Sequence, residues 1–330
     1  MAETSYDVVG IGNAIVDVLG RCSDDFLAQH QAPKGRMRLI DGDTMLTLYA
    51  AMGPAIEISG GSAANTMVGV ASFGGKAAFI GKVADDELGR IFGHDIRAAG
   101  VTYETKPSKG GQPTARSLIL VTPDGERTMN TFLGVSPELD HGEVDAALVR
   151  SAKVVYLEGY LFDRPEAKAA FRQAARYAKE AGRKVALTLS DPFCVERHRA
   201  EFLDLIRADV DILFANEAEI TALYKAQAFD DAARQVRGHT EIAVLTRSAK
   251  GSVVLAGERA VTIAPEPVER VVDTTGAGDL YAAGFLYGLT AGKPLETCGR
   301  LGSIAAAEVI SHVGARPETG LARLAASRGL

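Results

Sequence analysis

The chain has 330 residues, 47% of them hydrophobic, with 35 glycines and no tryptophan, which is enough to bury a large α/β core. A net charge of −6, with acids and bases mixed along the chain, excludes a basic stripe for nucleic acid, and no apolar run approaches the roughly 18 residues of a membrane span. Cys22, Cys194 and Cys298 form no C-x-x-C pair, the six histidines lack metal-ligand spacing, and MAETSYDVVGIG has no signal-peptide design, so the expectation is a cytoplasmic protein with free thiols and no protein-held zinc.

In chain order, DVVGIGN (7–13) reads as a buried strand. RMRLID (36–41) and AIEIS (55–59) alternate with period two, and GGSAANTMVGVASFG (60–74) is a glycine turn opening a small-residue helix. TARSLILV (114–121) and RTMNTFL (127–133) flank TPDGE, which carries Pro and Gly where a hairpin turn needs them. Beyond residue 151 the pattern is regular. Strands at 153–159, 184–190, 209–216 and 241–247 alternate with helices at 165–183, 195–207 and 217–226. A hairpin over 251–265 follows, then helices near 278–291, 295–312 and 317–327. Apolar runs alternating with amphipathic helices predict βαβ units and a mostly parallel sheet, while the alternating strands of the first half predict a small sheet with one covered face. The division expected is one unit over 1–330, with a large α/β part over about 1–13, 60–110 and 136–330 and a small β lid over about 14–59 and 111–135.

VVDTTGAGDLYAAGFLYG (271–288) sets a glycine hinge and one carboxylate at the mouth of an apolar helix. A helix N-terminus exposes unpaired N–H groups and the positive end of the macrodipole. Gly276, Ala277 and Gly278 can present three such donors to an oxyanion. Asp279, one residue on, is placed to take a hydroxyl proton while those donors hold the developing charge. Locally, the same residues also suit a plain tight turn with a favourable first-turn charge. Against that stands the helix itself: apolar on nearly all sides, it carries its N-terminus into the interior, where an unpaired Asp is costly.

D-T-T-G-A-G-D resembles the second signature of the ribokinase-like (PfkB) family of carbohydrate and nucleoside kinases, and the resemblance covers almost the whole chain. GGSAAN (60–65) looks like the family's di-glycine substrate loop, NEAE (216–219) like its N-x-x-E motif, and TRSAKGS (246–252) sits where it holds nucleotide phosphates, with Ser248 in place of a common glycine. The resemblance implies a three-layer α/β/α fold with a mostly parallel central sheet and a small β-sheet lid. It implies Asp279 as catalytic base, Gly276–Gly278 as anion hole, and ATP at Asn216, Thr246, Arg247, Gly251, Thr275 and Gly278. It also implies Mg2+ held mostly through water by Asn216 and Glu219, and a K+ site, where the family has one, at Asp273 and Thr275.

Within the family, GNAIVD, YLEGYLF, LSDPF, VDILFANEAE and KPLETC resemble adenosine kinases more than sugar kinases. That implies Phe193 of LSDPF as an aromatic wall for the base, and Asn13, Asp17, Gly61, Ser62 and Asn65 as readers of the ribose. Met37, Met129 and Leu133 become apolar lid contacts, and Arg127 a lid arginine that meets phosphate on closure. The function implied is transfer of the ATP γ-phosphate to the 5′-hydroxyl of adenosine, in a monomer or homodimer. A sugar kinase of the ribokinase or fructokinase type, an inosine or guanosine kinase, and a non-catalytic nucleoside-binding protein remain alternatives. A dinucleotide oxidoreductase is disfavoured because G-I-G-N-A-I (10–15) lacks the third glycine of G-x-G-x-x-G.

Overall fold

Alternation inside doubly buried strands sets the architecture. A computed structural model describes residues 4–330; the first three residues of the N-terminal stretch read above lie outside the described residues. Its strands are β1 (Tyr6–Ile11), β2 (Ile15–Arg21), β3 (Met37–Leu39), β4 (Ala55–Gly60), β5 (Ala77–Ile80), β6 (Thr102–Tyr103) and β7 (Ala115–Val121). They continue with β8 (Arg127–Phe132), β9 (Ala152–Glu158), β10 (Lys184–Thr188), β11 (Ile212–Asn216), β12 (Ile242–Thr246), β13 (Ser252–Ala256) and β14 (Arg259–Ile263). Nine form one sheet in the order β14-β13-β12-β11-β10-β9-β1-β5-β6, parallel except at the β12/β13 and β13/β14 pairs.

Successive residues of the central strands enter opposite layers. Val8 of β1, Val154 and Tyr156 of β9, and Phe214 of β11 join one core cluster with the helices Ser62–Ser72, Ala277–Thr290 and Leu295–Val309. Val9, Val155, Leu157 and Leu213 join the other, with Pro165–Glu180 and Pro192–Asp209. The result is the ribokinase-like α/β arrangement, helices on both faces of a mostly parallel sheet. On the first face small residues let helices approach closely: a Cβ on Gly69 would lie 2.5 Å from that of Ala283, so the backbone of the Ser62–Ser72 helix sits directly against side chains of the Ala277–Thr290 helix. Their N-termini are thereby brought together.

The second sheet has the order β3-β8-β7-β2-β4. Val16, Val18, Leu118 and Leu120 share a cluster with Met45 and Leu48 of the Gly42–Ala51 helix, which gives this sheet its covered face. Register places Asp17 opposite Ser117 and Ser117 opposite Thr131, all on the other face. The next row on that face runs Leu19, Ile119, Met129, Met37. Sequence reading omitted several elements: β2, β5, β6, and helices including Asp24–Gln29, Gly42–Ala51, Glu87–Ala98 and Phe229–Val236. The last predicted helix starts at Leu321 rather than 317, because the Glu318 and Thr319 N–H groups donate to Glu308 Oε1 instead (3.0 and 2.7 Å). Among the described residues no helix is long and apolar enough to cross a membrane.

Candidate active site

Parallel strands deliver their last residues to one edge of a sheet, where open α/β folds place ligands. Here Asn13 follows β1, Glu158 ends β9, Phe193 follows β10, Asn216 ends β11 and Thr246 ends β12. The two converging helix N-termini lie at the same edge. Gly61 caps the first at φ 100°, with its Cα pressed so close to the Asn13 carbonyl that a side chain would collide. Gly276 caps the second, with no side chain bonding the first-turn N–H groups.

Asp279, in that second helix's first turn, links the two. Its Oδ1 accepts from Ser62 Oγ at 2.6 Å and its Oδ2 from Asn65 Nδ2 at 3.1 Å. Burial pushes its carboxyl up to about 6, and the Ser62 and Asn65 bonds hold it from rising further. A carboxylate so placed is charged at neutral pH yet basic enough to take a proton. The three-donor anion hole is corrected in one respect: the Ala277 N–H donates to the Thr274 carbonyl at 3.2 Å, which reduces the expected donors to Gly276 and Gly278. Gly278 is exposed at the lip of the turn.

Asp17 faces the same space from the open side of the small sheet, and burial raises it to about 7 against the pull of Arg316 and Arg127. Asn13 is fully buried; its Nδ2 donates to Glu158 Oε1 at 2.8 Å and its Oδ1 accepts from Ser136 Oγ at 2.9 Å. Its amide therefore holds the site's frame together as it stands. Glu158, which sequence reading passed over, also accepts the Ala63 N–H at 2.8 Å and so pins the glycine turn to the end of β9; burial raises it to about 7. A lone carboxylate closing an apolar strand just before glycine was the signal for it. Arg316 left no such signal.

Arg127 reaches from the start of β8 to the anion loop. Its Nη1 lies 2.6 Å from Asp273 Oδ2 and donates to Thr275 Oγ1 at 3.4 Å, with both charged side chains buried. Asp273 also accepts from the Thr275 N–H (3.0 Å) and hydroxyl (2.7 Å) and from the Gly314 N–H (2.9 Å). The carboxylate proposed for K+ thus already has a guanidinium and three further donors, and a monovalent cation there would have to share or displace them. Met37 is 42% exposed and Phe193 72% exposed, so Phe193 is no core residue; Met129 and Leu133 are half-buried beside the same sheet.

The end of the cleft expected to hold the nucleotide is more open. A cavity of about 830 Å³ is lined by Asn216, Glu217, Phe229, Thr246, Arg247 and Lys250, among others. Arg247 Nε donates to Glu217 Oε2 at 3.1 Å, and its guanidinium lies 3.9 Å from the centre of the Phe229 ring. Gly251 closes the one-turn 3-10 helix after β12, and Ser248 within it has φ 50°, the left-handed region that glycine tolerates. Asn216 caps its helix and its N–H and Nδ2 donate to the two oxygens of Glu219 at 2.9 and 2.6 Å. Glu219 keeps further lone pairs, and burial raises it to about 7. Among the described residues no three acidic, histidine or cysteine side chains cluster to hold a metal ion. That donor set fits Mg2+ bound to phosphates and water with Glu219 as an outer partner.

Residues 57–319 match the model of the family described as pfkB family carbohydrate kinase. The crystal structure of adenosine kinase from Sinorhizobium meliloti superposes with a TM-score of 0.92 at 54% identity, covering 99% of this chain and 100% of that one. A probable sugar kinase from Rhizobium etli gives 0.93 at 52% identity, covering 99% of both chains. An uncharacterized sugar kinase of Archaeoglobus fulgidus is 31% identical over 76% of this chain and 97% of its own length.

Proposed function

The chain belongs to the pfkB family of carbohydrate kinases, phosphotransferases acting on hydroxyl groups, and from that premise we propose that its acceptor is the 5′-hydroxyl of adenosine and its donor the γ-phosphate of ATP. The observation that carries the acceptor is the likeness to the adenosine kinase of Sinorhizobium meliloti, 54% identical along essentially both whole chains. Phe193 supports it: a phenylalanine 72% exposed beside the cleft offers a face on which a purine can stack.

In this reading the nucleoside enters between the small sheet, acting as a lid, and the C-terminal ends of the strands. Asp17 accepts from ribose hydroxyls, Met37, Met129 and Leu133 meet the base, and the Ser62–Asn65 turn sets the 5′-oxygen against Asp279. Asp279 takes the hydroxyl proton as that oxygen bonds the γ-phosphorus and the bond to the bridging oxygen of ADP breaks. Gly276 and Gly278 donate to the phosphoryl oxygens, and Arg127, already on the anion loop, is within reach of the same charge. Magnesium, where bound, neutralises phosphate charge. Thr246, Arg247 and Gly251 frame the nucleotide, and a closed lid keeps water from the phosphoryl group.

A sugar acceptor is the second reading. It is favoured by the sugar kinases among the similar proteins. A coupled ADP-release assay with magnesium-ATP against adenosine, inosine, guanosine, ribose and fructose separates them. Turnover confined to adenosine is expected. Preference for a sugar would discard the role of Phe193, and no turnover from folded protein would discard the acceptor assignment.

A further inference from the structure

Arg316 lies in the stretch between the last two helices, outside the signatures described above. Its Nε donates to Oδ1 of Asn65 at 3.3 Å, and the Nδ2 of the same amide donates to Asp279 at 3.1 Å. We propose that Arg316 is a positioning residue: by donating to the Asn65 oxygen it fixes that amide so that its NH2, and not its oxygen, faces Asp279.

The chemistry admits one orientation. A guanidinium only donates, so it must see the amide oxygen; an ionised carboxylate only accepts, so it must see the NH2. Turning the amide over would set donor against donor at Arg316 and acceptor against acceptor at Asp279. Asn65 is buried, so no solvent would relieve either conflict. Without Arg316 one of those two constraints disappears and the amide is held from the Asp279 side alone.

The rest of the structure holds Arg316 to this task. The Gly314 N–H donates to Asp273, and the Glu318 and Thr319 N–H groups donate to Glu308, which tethers the backbone on both sides of it. Its Nη1 lies 3.7 Å from Asp95 Oδ2, and Asp95 in turn accepts the Ser59 N–H at 2.9 Å. Among the described residues its Nη2 is buried without a hydrogen-bond partner, so this charge has been withdrawn from water at a cost that surface solubility does not explain.

The inference rests on Asp279 being the base, so that residue is tested alongside it. Other charged and titratable groups also face Asp279: Asp17 from β2, Tyr156 and Glu158 from β9, Tyr160 after it, and Glu219 from the Glu217–Tyr224 helix. They are retained in every variant, so differences within the set report on the Arg316–Asn65 link.

The experiment is a double-mutant cycle on kcat and acceptor KM across pH, with Arg316→Met, Asn65→Ala, the double variant, Arg316→Lys and Asp279→Asn. Arg316→Met is expected to lower kcat roughly tenfold. It should also move the acid limb of kcat to higher pH, with Arg316→Lys recovering part of the loss. In the Asn65→Ala background the same change should do almost nothing. Additive effects, or an unmoved acid limb, would overturn the proposal. If Arg316→Met does not fold, the cycle run with Arg316→Lys decides by the same criterion of additivity. Near-normal turnover in Asp279→Asn sinks the base assignment itself; an inactive Asp279→Asn with additive Arg316 and Asn65 effects sinks only the link proposed here.

Discussion

The two ends of the cleft are built on different terms. At the acceptor end two sets of hydrogen bonds, Asp279 with Ser62 and Asn65, and Glu158 with Asn13 and the Ala63 N–H, meet on the glycine turn, and Asp17, Glu158 and Asp279 are all raised by burial, to about 7, 7 and 6. At the nucleotide end Glu219 is buried and raised as well, but it is tied only to the Asn216 cap, while Asn216, Ser248 and Lys250 are exposed around an open cavity and Arg247 is already neutralised by Glu217. Charges withdrawn from water act strongly on one another, whereas solvent screens those left exposed. Substitutions among the buried charged groups of the first end should therefore alter the chemistry, and those of exposed groups at either end should mainly tune affinity or stability.

The sharpest way to break that contrast is Asp279→Asn, expected to lower kcat by roughly 10²- to 10⁴-fold while acceptor KM stays nearly unchanged. The pH profile follows from the same group. Because its carboxyl is raised to about 6 and must be ionised to act, kcat should hold above about pH 7 and fall about tenfold per unit below about pH 6, the apparent value belonging to the coupled carboxylates together. A profile flat to pH 5 would count against the assignment.

Next comes the tie between the small sheet and the anion loop. Arg127→Met leaves the buried Asp273 carboxylate without its cation, which typically costs about 3–5 kcal/mol, to be read in urea unfolding together with a fall in kcat. An unchanged unfolding midpoint would mean that the ion pair contributes nothing net. A smaller effect is expected from Phe193→Ala, a weakening of adenosine binding by about 1–3 kcal/mol with ATP affinity and folding unaltered, measured by calorimetry. Equal losses for adenosine and ribose would remove the stacking role. The smallest is Ser248→Gly at the nucleotide end: relief of the left-handed backbone should raise stability by up to about 1 kcal/mol, seen as a modest rise in Tm with kcat retained.

Most of the large sheet was legible because its strands are continuous apolar runs between amphipathic helices. The small sheet was only half legible. β2 was missed although IVDVLGR alternates, since the GIGN turn just before it reads as the end of the preceding strand. The Asp24–Gln29 and Gly42–Ala51 helices were missed because each is short and supplies few buried residues. At the site, Asp279 stood out in one motif and Ser62 and Asn65 in another, 217 and 214 residues from it in the chain, and the structure joins them by hydrogen bonds. The Ala277 N–H, turned toward Thr274, is a detail of loop geometry that residue identity does not encode.

By itself the sequence determined the layers of this protein and the chemical character of its site. Hydrophobic period and turn residues are local properties, and so is a glycine-capped helix start followed by aspartate. Only the tertiary structure decided which groups share a low-dielectric space. The contact of Gly69 with Ala283 draws two helix starts together, the end of β9 brings Glu158 under the glycine turn, and Arg316 reaches Asn65 across 251 residues of chain. The strength of a charge depends on what surrounds it rather than on its neighbours in sequence, so the electrostatics of the site emerged only with the fold.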